Sequence, residues 1–349
     1  MKKKFDYLVF IGRMQPVTLA HTEVLNVAYE YADNVIALIG SAGEPRTLKN
    51  PFTYEERELW VHRANPEIIT APIYDYPYND DKWVAGVQKA VYNIAPRDAK
   101  IGLIGYAKDA SSYYLSVLFP QWQTVEVKPV QNRKGLVMNA TDVRTAFYEN
   151  RATYGLPNEN QLDVSDLVKL SVFEDIEAIL EKDETGVKLV EEYEYIKAYK
   201  KSWEVAPYAP TFVTGDAVVI QSGHVLMVQR KVAPGKGLWA LPGGFINPYE
   251  RIKDCIVREL REETLLKVPE EVIKRNIKHV HTFDNPGRSE RGRVITHAAK
   301  IDLGNFPDLP HVKGADDAEK AKWVPFHDIR REMCFEDHFH IISFYIGID

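Results

Sequence analysis

Residues 5–21 read FDYLVFIGRMQPVTLAH. The apolar run from Phe5 stops at Gly12, as a short strand buried on both faces would. Beyond Leu19, Leu25, Ala28, Tyr29 and Ala32 recur at helical spacing, and NVIALIGSAG (34–43) is a second buried-strand candidate. Strand, glycine-bearing loop, helix and strand in that order open a parallel α/β layer. The alternation continues with a helix at 53–64, a strand at 67–77, a helix at 81–94 and a strand at 99–107. The first domain is therefore expected to be a Rossmann-like, doubly wound parallel sheet, with ligands beyond the carboxyl ends of its strands.

Two closing helices follow at 141–150, with Thr141 as N-cap, and at 163–182. A charged helical stretch, 187–203, then leads into 204–215, where two prolines impose an extended course. From residue 211 the texture changes. FVTGDAVVIQSGHVLMVQRK reads as a hairpin, a long helix is expected at 249–264, and strands at 278–285 and 293–301 complete a second, α+β domain. The expected layout is a catalytic domain at 1–184, a helical and proline-containing linker at 185–210, and a second domain at 211–349.

A chain of 349 residues exceeds what one core usually serves. Its apolar share of 45% and charged share of 27% are those of a globular protein. A net charge of −6 gives no basic footprint for nucleic acid. No apolar stretch approaches the roughly 20 residues of a membrane span. Cys255 and Cys334 stand far apart, without zinc-ligand spacing. A cytoplasmic protein without nucleic-acid or membrane partners is expected; a homo-oligomer is allowed, and oligomeric state is not legible.

The loop after the first strand can cradle a phosphate, because Gly12 leaves backbone N–H groups free at the positive end of a helix dipole. Arg13, Thr18 and His21 add donors at the same helix start. GRMQPVTLAH (12–21) resembles the (H/T)xGH signature of the nucleotidyltransferase superfamily, and NATDVR (139–144) resembles its [ST]xxR motif. With SAGEPRTLKNPFTYEER (41–57) and YNDDKW (78–83), most of residues 1–150 is similar to archaeal-type nicotinamide mononucleotide (NMN) adenylyltransferases. Ala20 stands where that family has glycine, and Thr18 where it often has histidine. The resemblance implies in-line attack of NMN phosphate on the α-phosphate of ATP. Gly12, Arg13, Thr18 and His21 would hold the triphosphate from one helix start, and Thr141 and Arg144 from the other. Trp83 would either stack on the nicotinamide ring or belong to the core. Another phosphate acceptor, such as phosphopantetheine, stays open for this domain.

The second domain carries GGFINPYERIKDCIVRELREETL (243–265). Glu259, Glu262 and Glu263 share one side of a helix, and three crowded carboxylates either bind a hard cation or form a solvated acidic face with Arg258 and Arg261 as partners. The spacing resembles the Nudix box at every position except Thr264, which replaces its last glycine. That resemblance implies Glu259, Glu262 and Glu263 as ligands of Mg²⁺ or Mn²⁺, with a carbonyl near Gly243 or Gly244. Arg258 would orient the glutamates, and Glu250 would be structural or outer-shell. FDNPGRSERGRVITH (283–297) resembles the substrate loop of ADP-ribose pyrophosphatases. It offers Arg288, Arg291 and Arg293 to a diphosphate, and Glu290 as general base or salt-bridge partner. Together the two halves resemble the bifunctional NMN adenylyltransferase/Nudix hydrolases, with NMN, ATP and ADP-ribose as ligands. A Nudix domain kept only as a ligand sensor is the remaining alternative.

Overall fold

The structure is a computed structural model that describes residues 3–106, 114, 115, 117–133 and 135–349. The chain divides into two compact units, Met1–Val190 and Glu191–Asp349.

In the first unit, β1 (Phe5–Gly12), α1 (Leu19–Tyr31), β2 (Ala32–Ile39), α2 (Tyr54–Ala64), β3 (Ile69–Pro72), α3 (Asp80–Tyr92), β4 (Ile101–Gly105) and β5 (Gln123–Glu126) alternate as expected. Among the described residues the strands form one parallel sheet in the order β3-β2-β1-β4-β5. The order reverses beside β1, which places the end of β1 at the switch point where such sheets bind ligands. Leu8, Val9, Val35, Ile36, Leu38 and Leu103 are buried, which is why β1, β2 and β4 read as continuous apolar runs. The strand expected at 67–77 is only four residues long, and the one expected to end at Ala107 stops at Gly105; Ala107 lies outside the described residues. β5 was not anticipated, because QTVE is a short edge strand with only Val125 buried.

Then come α4 (Ala140–Tyr148), a two-stranded pair of β6 (Ala152–Thr153) with β7 (Leu162–Asp163), and α5 (Leu170–Glu177), which passes into one π-helical turn. Asn139 caps α4, its carbonyl oxygen accepting from Thr141 N–H at 3.0 Å. Thr141, expected as the cap, sits inside the first turn, because Asn139 already supplies the acceptor that the orphan N–H groups require. α6 (Glu184–Ser202) fills most of the stretch expected as a linker.

The second unit holds β8 (Thr211–Gln221), β9 (His224–Arg230), β10 (Trp239–Ala240), β11 (Gly243–Phe245), α7 (Ile252–Thr264), α8 (Glu270–Arg275), β12 (Ile277–Phe283), β13 (Arg293–Asp302), β14 (Ala318–Pro325) and α9 (His338–Ile346). Its mixed sheet runs β10-β9-β8-β13-β12, with β11 on β8 and β14 on β9. Ser222 and Gly223, both at positive φ, make the two-residue turn of the β8–β9 hairpin. Ile256, Val257 and Leu260 of α7 are fully buried in a core shared with Ala217 and Val219 of β8. At about 1.5–3 kcal/mol for each buried aliphatic side chain, this face fixes the rotation of α7 and so the side from which its glutamates project. Among the described residues no helix is long and apolar enough to cross a membrane.

Two candidate active sites

In the first unit, Arg13, Thr18, Ala20 and His21 line one pocket with Tyr106, Met138, Thr141 and Arg144. The residues chosen from the two motifs thus meet across more than a hundred positions. Thr18 caps α1 in a reciprocal box. Its hydroxyl accepts from His21 N–H at 3.4 Å, and its own N–H donates to His21 Nδ1 at 3.0 Å. The Thr18 hydroxyl also lies 2.8 Å from that nitrogen. Histidine here takes the part usually played by glutamate or glutamine. With Nδ1 accepting a backbone N–H, the neutral ring carries its proton on Nε2. Thr18, expected to bond phosphate, is engaged with His21 instead. Arg144 is 8% exposed, donates to Thr141 Oγ1 at 3.1 Å and reaches the Gln15 carbonyl, tying α4 to the loop after β1.

Gly12 is not part of the pocket lining. Its carbonyl accepts from Gly40 N–H at 2.9 Å, and a Cβ at this position would lie 2.8 Å from the Phe10 ring, so packing accounts for the glycine. Trp83 also lies outside the pocket lining. Its ring meets Tyr114 and Phe119, with centroids 5.7 and 5.8 Å away, against the core of the sheet.

Sequence reasoning missed two residues that hold this loop in shape. Buried Gln15 forms two bonds with the backbone of Phe52, donating to its carbonyl at 2.8 Å and accepting from its N–H at 3.0 Å. Arg57, 1% exposed, donates to the carbonyls of Arg13 and Gly40 at 2.6 Å, of Thr53 at 2.9 Å and of Ser41 at 3.4 Å. Burial lowers its pKa to about 10, and nearby Asp75 works against that shift. Arg57→Met should strand several buried carbonyls and cost about 3 kcal/mol, read by urea unfolding of the purified chain. Wild-type stability in that variant would show that the clamp is dispensable.

In the second unit, Glu263, Gly243 and Gly244 line a cavity with Asp216, Arg230, Arg288, Arg291, Glu336 and His338. Glu263 accepts from Gly243 N–H at 3.0 Å. Burial, with Glu259 and Asp216 adding repulsion, pushes its carboxyl up to about 8. Glu259, also raised by burial, lies under Gly244, where a Cβ would come within 2.5 Å of its carboxylate. A larger residue there would have to displace the Glu259 carboxylate.

Glu262 does not join them. It is 47% exposed at the side chain and accepts from Arg258 Nη1 at 3.0 Å, while the same nitrogen donates to Glu259 at 2.6 Å. Among the described residues no three acidic, histidine or cysteine side chains form a ready-made metal cluster. The expected set of Glu259, Glu262, Glu263 and Gly244 is therefore incomplete as placed. The reason is electrostatic, since Arg258 provides the positive charge that separates the carboxylates. Arg258 also forks onto Glu250 through two 2.8 Å bonds, which hold the Glu250 carboxyl down at about 2. The donor set still suits a hard cation, because buried Glu263 and half-buried Glu259 offer carboxylate oxygens beside Gly243 and Gly244. The last glycine of the Nudix spacing falls on Leu265 and not, as expected, on Thr264: Leu265 ends α7 in the left-handed conformation that favours glycine, at φ 47°, while Thr264 turns its hydroxyl onto the Leu260 carbonyl within the helix.

Of the three loop arginines, Arg291 alone lines the cavity without a tight ion pair. It stands 3.7 Å from Glu336, and its guanidinium lies over the Phe245 ring at 5.4 Å. Arg288 lines the cavity too, yet its fork is taken by Asp337 at 2.8 and 3.0 Å. The fork uses Nε and Nη2, so Asp337 holds the guanidinium in place and narrows the expected role of Arg288 toward a diphosphate to Nη1. Arg293 donates to the Asp284 carbonyl, away from the cavity. Glu290 also stands outside the lining, close enough to repel Glu192. Asp216, Arg230, Glu336 and His338 were missed, because they come from strands and a C-terminal segment without a spaced motif.

The Nudix family model matches residues 211–343, and the cytidylyltransferase-like model matches residues 9–84. Over 153 residues the chain is 42% identical to a nicotinamide/nicotinic acid mononucleotide adenylyltransferase of Acinetobacter baylyi, covering 42% of this chain and 78% of that one. It is 31% identical over 139 residues to an ADP-ribose pyrophosphatase of Methanocaldococcus jannaschii, covering 40% and 75% of the two chains. A crystal structure of a bifunctional NMN adenylyltransferase/ADP ribose pyrophosphatase from Francisella tularensis, complexed with AMP and a Mn ion, aligns over nearly the full length. It is 34% identical, has a TM-score of 0.86, and covers 98% of this chain and 99% of that chain.

The chain belongs to the bifunctional NMN adenylyltransferase/ADP-ribose pyrophosphatase family. In this family member, the pocket at the end of β1 belongs to the adenylyltransferase half and the cavity beside α7 to the Nudix half.

Proposed function

We propose that one chain performs two reactions of pyridine-nucleotide metabolism: ATP and NMN to NAD and pyrophosphate, and ADP-ribose with water to AMP and ribose 5-phosphate. The observation that carries this reading is the presence of both pockets in one chain that aligns end to end with a bifunctional enzyme.

In the adenylyltransferase pocket, an NMN phosphate oxygen attacks the α-phosphorus of ATP, and the bond to the β-phosphate breaks. Positioning and charge carry such a reaction. Arg13 and Arg144 supply charge, His21 supplies a neutral N–H at the N-terminus of α1, and Thr141 borders the facing helix start. Thr18 acts through His21, which it orients.

In the Nudix cavity, Glu263 and Glu259 would hold a divalent cation, with Glu262 kept outside by Arg258. A cation there supplies Lewis-acid polarisation of the diphosphate. Arg291 binds the diphosphate, and Phe245, lying under its guanidinium, shapes the entrance. Manganese and magnesium both suit oxygen ligands. Both cysteines are buried thiols, which suits a cytoplasmic setting.

The purified full chain with a divalent cation is expected to form NAD and pyrophosphate from ATP and NMN. In a separate assay it should form AMP and ribose 5-phosphate from ADP-ribose. Bound substrates without product in either assay would overturn the corresponding half of the reading.

A further inference from the structure

His338, the first residue of α9, is 6% exposed and lines the Nudix cavity with Asp216, Glu263 and Arg291. Its Nδ1 accepts from Leu241 N–H at 2.8 Å. A backbone amide is only a donor, so Nδ1 must offer its lone pair, and the neutral ring carries its proton on Nε2. Nε2 has no hydrogen-bond partner among the described residues. Protonating Nδ1 as well would set two N–H groups against each other. Burial leads in holding the ring below the usual histidine pKa; Arg288, from the β12–β13 loop, and Arg230 of β9 add to this, while Asp216 of β8 and Asp337 oppose it. The ring is therefore a fixed, uncharged donor in a cavity built for a diphosphate.

We propose that His338 is a catalytic residue of ADP-ribose hydrolysis, its Nε2–H bonding a non-bridging oxygen of the diphosphate as negative charge grows on the departing phosphate. The inference rests on the hydrolase reading of this cavity. Water forms the new bond to one phosphorus, and the bridging oxygen leaves with the electron pair. The water proton passes to product phosphate and bulk solvent. His338 keeps its proton throughout, as preorganised donors do.

The competing role is structural: a core histidine that only holds Leu241 in place. Two substitutions separate the ring nitrogens. His338→Asn keeps an acceptor near the Nδ1 position for Leu241 and offers nothing at Nε2. His338→Gln can place an N–H near Nε2 but gives up the acceptor. Donor catalysis predicts that His338→Asn melts like wild type and loses about 10²-fold in kcat, with KM changed less than about threefold. His338→Gln should melt several degrees lower and yet recover about tenfold of that kcat.

The pH–rate profile of His338→Asn should keep both limbs of the wild-type profile at a lower height. Undiminished kcat in His338→Asn, turnover that merely follows Tm across the two variants, or a lost limb would each overturn the donor assignment. A wild-type chain that left ADP-ribose intact would instead overturn the hydrolase reading beneath it.

Discussion

Glu263→Gln is expected to lower ADP-ribose hydrolysis by about 10³-fold, or about 4 kcal/mol of transition-state stabilisation, while NAD formation by the same preparation stays at the wild-type rate. Glutamine is nearly isosteric and keeps an oxygen to accept from Gly243 N–H, so the bond that seats this side chain survives. What disappears is the negative charge in a cavity where burial already makes that charge expensive. If this carboxylate only served the fold, its neutralisation would stabilise the chain, since among the described residues Arg230 attracts it without the close fork that Arg288 makes onto Asp337.

The same experiment grades the three glutamates. Glu259→Gln should lose nearly as much, because Glu259 lies against Gly244. Glu262→Gln should lose about tenfold, because its carboxylate is half-exposed and held by Arg258 outside the cavity. Steady-state rates at saturating divalent cation decide the order. Equal losses at Glu262 and Glu263 would mean that Glu262 leaves Arg258 and enters the cavity during turnover. Full activity in Glu263→Gln would remove the metal assignment altogether.

These side chains differ in how far sequence could reveal them. The shared helix of the three glutamates is legible because helical periodicity turns spacing into direction, but the spacing does not show that Arg258 draws Glu262 away from Glu259 and Glu263. Thr18, His21 and Arg144 are legible for a similar reason: each lies within a turn of a helix start, where local pattern and dipole agree. Arg288 was read as a substrate ligand because its loop is rich in arginine, glycine and proline. Nothing in that loop betrays Asp337, 49 positions later, which takes two of its guanidinium nitrogens. Asp216 and His338 look like ordinary strand and helix residues until the sheet brings them to one cavity. Arg57 was hidden inside TYEERELWVHRA, where a charged residue on a surface helix is the ordinary expectation. Its burial follows from the need of the Arg13 and Gly40 carbonyls for donors where the chain leaves two adjacent strands. The parallel sheet itself was legible because β1, β2 and β4 are buried on both faces. β5, with one buried residue, leaves almost no trace.

His21→Asn is expected to slow NAD formation by about 10²-fold with little change in Tm, whereas His21→Ala should slow it as much and also lose about 1 kcal/mol of stability. The separation follows from the two ring nitrogens. Nδ1 belongs to the helix cap, where it accepts from Thr18 N–H, and the asparagine carbonyl can take over that bond. Nε2 carries the proton of a side chain that lines the pocket at the helix N-terminus, where the α1 dipole already favours an anion. Asparagine is too short to reproduce it. If charge on departing pyrophosphate is what His21 stabilises, the loss should fall on kcat at saturating ATP and NMN. ADP-ribose hydrolysis by the same variants should be untouched. If His21→Asn instead made NAD at the wild-type rate, the histidine would be only a cap. The phosphate-binding charge of this pocket would then rest on Arg13 and Arg144, and Arg144→Ala would be the variant that slows NAD formation.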